Sequence, residues 1–380
     1  MKKLTYILNQ YSHKEGSHFY AVIGLLEEIA KYNVKITLII EKSEDTPNFK
    51  SKNINVILQK KTGIRRSIEL FMILKNLHKQ GYCKTFVRVS QNGAIPAILA
   101  SKIYGGEVYY WQSGTTYITE IKKSFNLGRY LKSELPFKFV KKFTTYFVTG
   151  PEYMVEYYEK YVQVKKSKIL CLYNDVDTKR FSPVSKDEAT IIKSELKIDL
   201  ESKIILFVHR MSPVRRTMYY MPKVLIKTLD DCTDCICYVI GGGSDKELLD
   251  FEIKKHNMEG RIILMGQIPN KEIEKFYRIS DVFINPSYTE GFSRVLVESM
   301  ASGLPMVVTN AGGTKDIIGK LQSEFMVDID DVDGFSKKLK LLINSKETRG
   351  RLSIENIQQS KRFSTQNIAK MYVNTIFTDE

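Results

Sequence analysis

Two glutamates and a glycine open the most reactive-looking stretch of the chain, residues 282–318. Glu290 and Gly291 follow the apolar run Val282 to Asn285, and Glu298 comes about two helical turns later. The run is closed by Pro286 and reads as a short buried parallel strand. Arg294 to Ser302 reads as a helix with Val295, Leu296, Ser299 and Met300 on one face. Gly303 caps it and Pro305 stops it. Met306 to Thr309 is the next strand, and Gly312-Gly313 breaks the chain before another helix. A helix start at the C-terminal edge of a parallel sheet offers free N–H groups to an anion. Gly291 lets backbone come close to a ligand. Carboxylates repel phosphate but accept hydrogen bonds from sugar and ribose hydroxyls. Amides for a diphosphate and carboxylates for hydroxyls together describe a pocket for a nucleotide sugar. Two glutamates alone would suit a solvated surface better. The ordered Pro-Ser, Glu-Gly-Phe, second Glu, Gly-x-Pro and Gly-Gly in one window reverse that preference.

The cations a diphosphate needs lie upstream. Ile204 to Val208 reads as a buried strand, and His209-Arg210-Met211-Ser212-Pro213-Val214-Arg215-Arg216 leaves its end. Arginine grips phosphate with two parallel N–H groups and stays charged when partly buried. Cys235 to Ile240 is a strand ending in Gly241-Gly242-Gly243, which is not a dinucleotide fingerprint. Ile262 to Met265 ends at Gly266-Gln267. A first set of strands precedes these: Leu4 to Leu8, Val34 to Ile40, Ile54 to Leu58, Thr85 to Val89, Glu107 to Trp111, Tyr146 to Val148 and Lys168 to Leu172. Helices are expected between them, over 17–32, 67–80, 94–103 (Pro96 in its first turn) and 152–161. Gly16 precedes the first helix, and Gln112-Ser113 leaves the fifth strand.

The window 282–318 closely resembles the signature of retaining, GT-B-fold glycosyltransferases of glycosyltransferase family 4, the glycosyl transferases group 1. The resemblance implies an α/β fold of two Rossmann-like, doubly wound domains facing a cleft, with a C-terminal helix returning to the first domain. It implies that Glu298 holds ribose hydroxyls and Glu290 contacts the donor sugar, helped by amides of Gly291, Phe292 and Ser293. Amides of Arg294 and Val295 at the helix start, with Arg210 and Arg215, would neutralise the leaving diphosphate in place of a metal, so no cofactor is expected. Gly266-Gln267 would present backbone to the base, and Gly16 and Ser113 are expected among the donor-binding residues. The chain departs from the pattern in places. Glu15 precedes Gly16 where two glycines are usual, Ser113 replaces a histidine, and Arg216 replaces a glycine. Asp175 stands for Gly in Asn174-Asp175-Val176-Asp177, and Thr365 stands where Trp is usual. His209 also departs, preceding Arg210 where Gly is usual.

The chain has 380 residues, 43% of them hydrophobic and 27% charged, with a net charge of +15. That length suits two domains: residues 1–178, then 179–358, with a crossover helix in 359–380. The positive charge points to an acidic partner, either phosphates or an anionic surface. Residues 121–142 interleave lysines and an arginine with Phe125, Leu127, Leu131, Phe137 and Phe139, which suits an anionic membrane surface. No nucleic-acid motif accompanies the charge. No stretch is long and apolar enough to cross a membrane, and five cysteines suit a reducing compartment, so a cytoplasmic protein at the inner face of the cell membrane is expected. Cys232, Cys235 and Cys237 read as packed thiols, and Asp328 to Asp333 as a loop and helix cap. The expected activity is sugar transfer from a UDP- or GDP-sugar to a glycan or lipid-linked acceptor in cell-surface polysaccharide synthesis. The alternative is a non-catalytic scaffold or binding protein of the same fold.

Overall fold

The computed structural model describes residues 1–12, 20–43, 45–114, 126–213 and 216–378. The chain divides into two compact units, Met1–Asp175 with Thr365–Glu380, and Val176–Ser364.

The first unit is built on seven strands: β1 Lys2–Leu8, β2 Val34–Ile40, β3 Ile54–Leu58, β4 Lys84–Arg88, β5 Glu107–Trp111, β6 Tyr146–Thr149 and β7 Ile169–Cys171. All neighbours run parallel, in the order β3-β2-β1-β4-β5-β6-β7. Parallel strands need helical crossovers, which cover both faces, so central strands become continuous apolar runs. β1 follows this rule, with Leu4 through Leu8 all buried. The helix Thr365–Ile376 packs on the helix Tyr20–Ala30 and sinks Ile368, Ala369, Tyr372, Val373 and Ile376 into the core beneath β1 and β2. The returning C-terminal helix expected from the sequence is therefore present. Residues 359–364 remain with the second unit.

The second unit has six strands: β8 Lys203–Val208, β9 Cys235–Ile240, β10 Ile262–Gly266, β11 Val282–Asn285, β12 Met306–Thr309 and β13 Met326–Val327. Their order is β10-β9-β8-β11-β12-β13, again parallel. Both sheets reverse strand order once, between β1 and β4 and between β8 and β11. Such switch points open a crevice at the strands' C-terminal ends. Cys235 and Cys237 are packed in this unit's core, and burial pushes the Cys235 thiol up to about 12. A thiol held so high stays protonated and inert. Asp331 caps the helix Val332–Asn344, accepting from the Gly334 amide at 2.8 Å.

Several helix bounds differ from expectation. The third helix of the first unit spans Gln91–Tyr104, because Ser90 caps it by accepting from Gly93 N at 2.9 Å. Pro96 thus lies inside that helix and not in its first turn. The second begins at Gly63, ahead of the expected Ser67. Two of the longer helices were not foreseen, and only the second of them is weakly patterned. Met221–Asp231 carries Pro222 in its first turn, and Lys346–Ser360 buries Asn356 and Ser360 along with Leu352. A helix whose inner face is partly polar shows a weak apolar period. Asn356 Nδ2 serves two buried acceptors, the Leu304 carbonyl at 2.7 Å and Gln322 Oε1 at 2.9 Å.

The departures at Asp175 and Thr365 prove to be one interaction. Thr365 Oγ1 donates to Asp175 Oδ2 at 2.7 Å, where the chain leaves and re-enters the first unit. Next to them Val176 and Ser364 form an isolated β-bridge within the second unit.

Candidate functional site

Five strand ends of the second unit carry the candidate site. β8 runs into His209 and Arg210, β9 into Gly241–Gly243, β10 into Gly266 and Gln267, β11 into residues 286–293, and β12 into residues 310–313. Glycines let these loops press together. A Cβ on Gly241 would strike the His209 carbonyl oxygen, and one on Gly312 would strike that of Glu290. Both positions also have positive φ, +135° and +53°, which side chains rarely adopt. Hydrogen bonds also tie neighbouring loops: Gly242 O accepts from Met211 N at 3.0 Å, and Gly266 O from Gly241 N at 2.8 Å.

Glu290 is buried in this assembly, at 1% exposure. Its Oε1 accepts from Asn285 Nδ2 at 3.3 Å and stands 3.1 Å from His209 Nε2. A buried carboxylate is tolerated only when hydrogen-bonded or paired. Asn285 is itself held, its Oδ1 accepting from Ser287 Oγ at 2.7 Å and its carbonyl from Thr309 Oγ1 at 3.3 Å. The His209–Glu290 contact spans β8 and β11, the switch point of the sheet. Sequence reasoning gave His209, Asn285, Ser287 and Thr309 no part in the site. The available signal was a polar Asn at the end of an apolar strand, followed by Pro-Ser.

Gly291, Phe292 and Ser293 are buried and lead into the helix Arg294–Ala301. Ser293 stands at the N-cap but makes no capping bond; its Oγ accepts from Asn285 Nδ2 at 3.4 Å. The first amides of the helix, including those of Arg294 and Val295, therefore receive nothing from the capping side chain. Leu296 and Met300 anchor the helix in the core. Glu298 is half-buried one turn on and accepts from Tyr277 Oη at 3.1 Å. Burial first, and then the Glu298 carboxylate, hold the Tyr277 hydroxyl well above its ordinary range, so it remains a donor. Arg210 is exposed at the end of β8. Gly266 has φ +67°, and Gln267 packs its side chain over Gly242.

Arg215 and Gly16 lie outside the described residues. Ser113 belongs to the first unit, where its Oγ donates to the Gly150 carbonyl at 3.2 Å. That unit also buries Arg88, which sequence reasoning overlooked. Arg88 lies 4.2 Å from the Trp111 ring centre, donates to Tyr6 Oη at 3.3 Å and pairs with Asn174 Oδ1. Among the described residues no cluster of three His, Cys, Asp or Glu could hold a metal ion, and no helix is long and apolar enough to cross a membrane.

Comparison with known proteins adds to this geometry. Residues 188–359 match the family model described as Glycosyl transferases group 1. The chain is 27% identical over 221 residues to spore coat protein SA of Bacillus subtilis, covering 54% of this chain and 57% of that one. It is 24% identical over 291 residues to UDP-Gal:alpha-D-GlcNAc-diphosphoundecaprenol alpha-1,3-galactosyltransferase of Escherichia coli, covering 76% and 71%. The chain spans about half the length of the curated relatives it matches first. Its fold is similar to that of Anabaena HepE in complex with UDP-glucose, with TM-score 0.76 and 15% identity over 100% of both chains. Two Rossmann-like parallel sheets and a returning C-terminal helix are the GT-B fold. Residues 188–359, which hold all of Arg210, Glu290 and Glu298, are the part of the chain that is similar to the glycosyl transferases group 1.

Proposed function

We propose that this protein is a retaining glycosyltransferase, moving a sugar from a UDP- or GDP-sugar to a glycan or lipid-linked acceptor in cell-surface polysaccharide synthesis. The observation that carries the reading is the meeting of Glu290 with His209 across the β8/β11 switch point, beside a helix start with no side-chain cap. Names among the relatives support the substrate class: the Escherichia coli enzyme is named for UDP-Gal and a diphosphoundecaprenol acceptor. HepE, of the same fold, was seen with UDP-glucose.

In this reading the amides at Arg294 and Val295 take the diphosphate, aided by the helix dipole. Arg210 and Arg215 neutralise charge as the diphosphate leaves, without a metal. Glu298 holds ribose hydroxyls, with Tyr277 keeping its carboxylate in place. Glu290 positions the donor sugar through its hydroxyls and forms no covalent bond to it. The departing diphosphate oxygen takes the acceptor hydroxyl's proton on the face it leaves, so configuration is retained.

The protein works in the cytoplasm, peripherally on an anionic membrane face. Residues 121–125 of the basic segment lie outside the described part. Downstream, Leu127, Leu131 and Leu135 repeat at one-turn spacing, all exposed, with Lys132, Lys138 and Lys142 around them. That pattern offers apolar side chains to acyl chains and ammonium groups to headgroups.

The test is turnover of UDP-glucose, UDP-galactose and GDP-mannose with a lipid-diphosphate sugar acceptor, following nucleoside diphosphate release and the anomeric signal of the product. Arg210→Ala and Glu290→Gln are each expected to lower turnover by about 100-fold or more, as for loss of one transition-state donor, with folding intact. Wild-type turnover in both variants, or an inverted product, would sink the reading.

A further inference from the structure

The first unit holds a cavity of about 280 Å³ at the C-terminal ends of β2 and β3. Buried Glu41, Gln59 and Leu70 line it, with half-buried Arg66 and Ser67 and exposed Asn92. The first turn of the helix Gly63–Lys79 forms one wall. Arg210, Glu290 and Glu298 belong to the other unit. The cavity is near the lower end of the range for small-ligand pockets, roughly 300 Å³. No aromatic ring lines it, so it offers no stacking surface to a base.

Two independent features point to an occupant. The first is Gln59, which is 8% exposed and donates from Nε2 to the Arg66 carbonyl at 2.9 Å and to Glu69 Oε2 at 3.4 Å. Turning the amide over would set its oxygen against those two acceptors, so its orientation is fixed. Oε1 is then a buried acceptor without a partner, which native structures rarely keep without a reason. Glu41 stands with it: Oε1 accepts from the Ser90 hydroxyl, and Oε2 has no hydrogen-bond partner among the described residues. Burial raises this carboxyl, outweighing the Ser90 hydrogen bond and the nearby Arg66 charge. Protonated or not, it can hydrogen-bond a hydroxyl group.

The second feature is the helix start. Thr62 stands at the N-cap without making a capping bond, and no acid lies in the first turn. Lys60, Lys61, Arg65 and Arg66 crowd there instead, against the helix dipole and one another. Glu69, which accepts from the Lys61 amide at 3.3 Å, offsets one of the four charges. Arg66 Nε donates to the Lys61 carbonyl at 2.9 Å, and its two terminal nitrogens make no hydrogen bond among the described residues. An anion seated on free helix amides beside an arginine turns this repulsion into attraction.

We propose that this cavity binds a phosphorylated sugar, its phosphate on the first amides of the helix and the Arg66 guanidinium, its hydroxyls on Glu41 and Gln59. A free sugar phosphate and the sugar-diphosphate head of a lipid-linked acceptor share that chemistry. That the occupant is the acceptor of sugar transfer rests on the transferase reading; the binding does not.

Calorimetric titration of glucose 1-phosphate, galactose 1-phosphate, N-acetylglucosamine 1-phosphate and inorganic phosphate into the full chain tests the binding. At least one sugar phosphate is expected to bind one-to-one, about tenfold or more tighter than inorganic phosphate. Arg66→Gln is expected to weaken that binding about tenfold or more, with UDP affinity and the thermal transition as in wild type. No binding by any sugar phosphate, equal binding in Arg66→Gln, or inorganic phosphate bound as tightly would each overturn the site. Acceptor kinetics separate the two sources. With a lipid-diphosphate sugar as acceptor, Arg66→Gln is expected to raise the acceptor KM about tenfold or more and leave the donor KM unchanged. An unchanged acceptor KM in a variant that has lost sugar-phosphate binding overturns the acceptor role and leaves a free sugar phosphate as the occupant. Absence of turnover with every donor overturns the transferase reading instead, and the titrations still decide the site.

Discussion

Gly312 is the residue on which the geometry around Glu290 depends most sharply. A side chain there would have to enter the space of the Glu290 carbonyl at a backbone φ of +53°. Gly312→Ala should therefore displace the 290–293 loop and destabilise the unit by roughly 1–3 kcal/mol. Chemical denaturation measures the cost, and loss of nucleotide affinity reports the displaced loop; wild-type values for both would refute the packing argument. The same scale explains what the sequence concealed. Glu290, Gly291 and the Gly-Gly pair were legible because their types and spacing are unusual in one window. His209 and Asn285 were not, because their importance lies in which atoms they meet across β8 and β11, and no spacing along the chain encodes that. Departures from a family pattern misled in the same way. Asp175 and Thr365 look like two losses until they are seen to share one hydrogen bond. Thr365→Val and Asp175→Asn should each cost about 1 kcal/mol, and the double variant less than their sum, as a double-mutant cycle would record.

Strands were the most legible elements, since burial on both faces writes them as unbroken apolar runs. Helices were less so where polar groups enter the core, as in Lys346–Ser360 with its buried Asn356. Asn356→Leu should leave the Leu304 carbonyl without its Asn356 donor, remove one of the two donors to Gln322 Oε1, and destabilise the second unit despite the added apolar surface; the penalty for stranding such a group is about 1–3 kcal/mol. The helical stretch from Leu127 to Phe143 makes a separate prediction. Its inner side buries Phe137 and Val140, while Leu127, Leu131 and Leu135 face outward. Replacing Leu131 with Gln and Lys138 with Glu should weaken sedimentation with phosphatidylglycerol vesicles and leave the thermal transition unchanged. Equal binding by this variant would remove the stretch from the membrane proposal.

On the scale of the molecule, the two-unit plan was readable from length and from the succession of strands and helices. The crossings at 175–176 and 364–365 lie three and six residues from the expected bounds at 178 and 358. Stability of the first unit also carries a pH signature. Glu41 is buried at the end of β2, where burial raises its carboxyl above the ordinary value, with Ser90 Oγ as its hydrogen-bond donor and Gly93 packed against it. A carboxyl raised on folding contributes stability below its unfolded value and loses it as pH climbs through the folded one. Glu41→Gln should therefore melt higher than wild type at about pH 8, and the advantage should vanish at about pH 4. A constant difference across that range would contradict the linkage.

The central claim, that the loops after β8 and β11 and the helix Arg294–Ala301 hold a nucleoside diphosphate, is tested most directly by calorimetric titration of UDP and GDP into the full chain. Wild type and Glu298→Gln are compared, the latter keeping an acceptor for the Tyr277 hydroxyl. The account predicts one-to-one binding of at least one nucleotide, weakened about tenfold or more in Glu298→Gln, in line with a lost charge-assisted hydrogen bond. No binding of either nucleotide, or equal affinity in the two proteins, would contradict it.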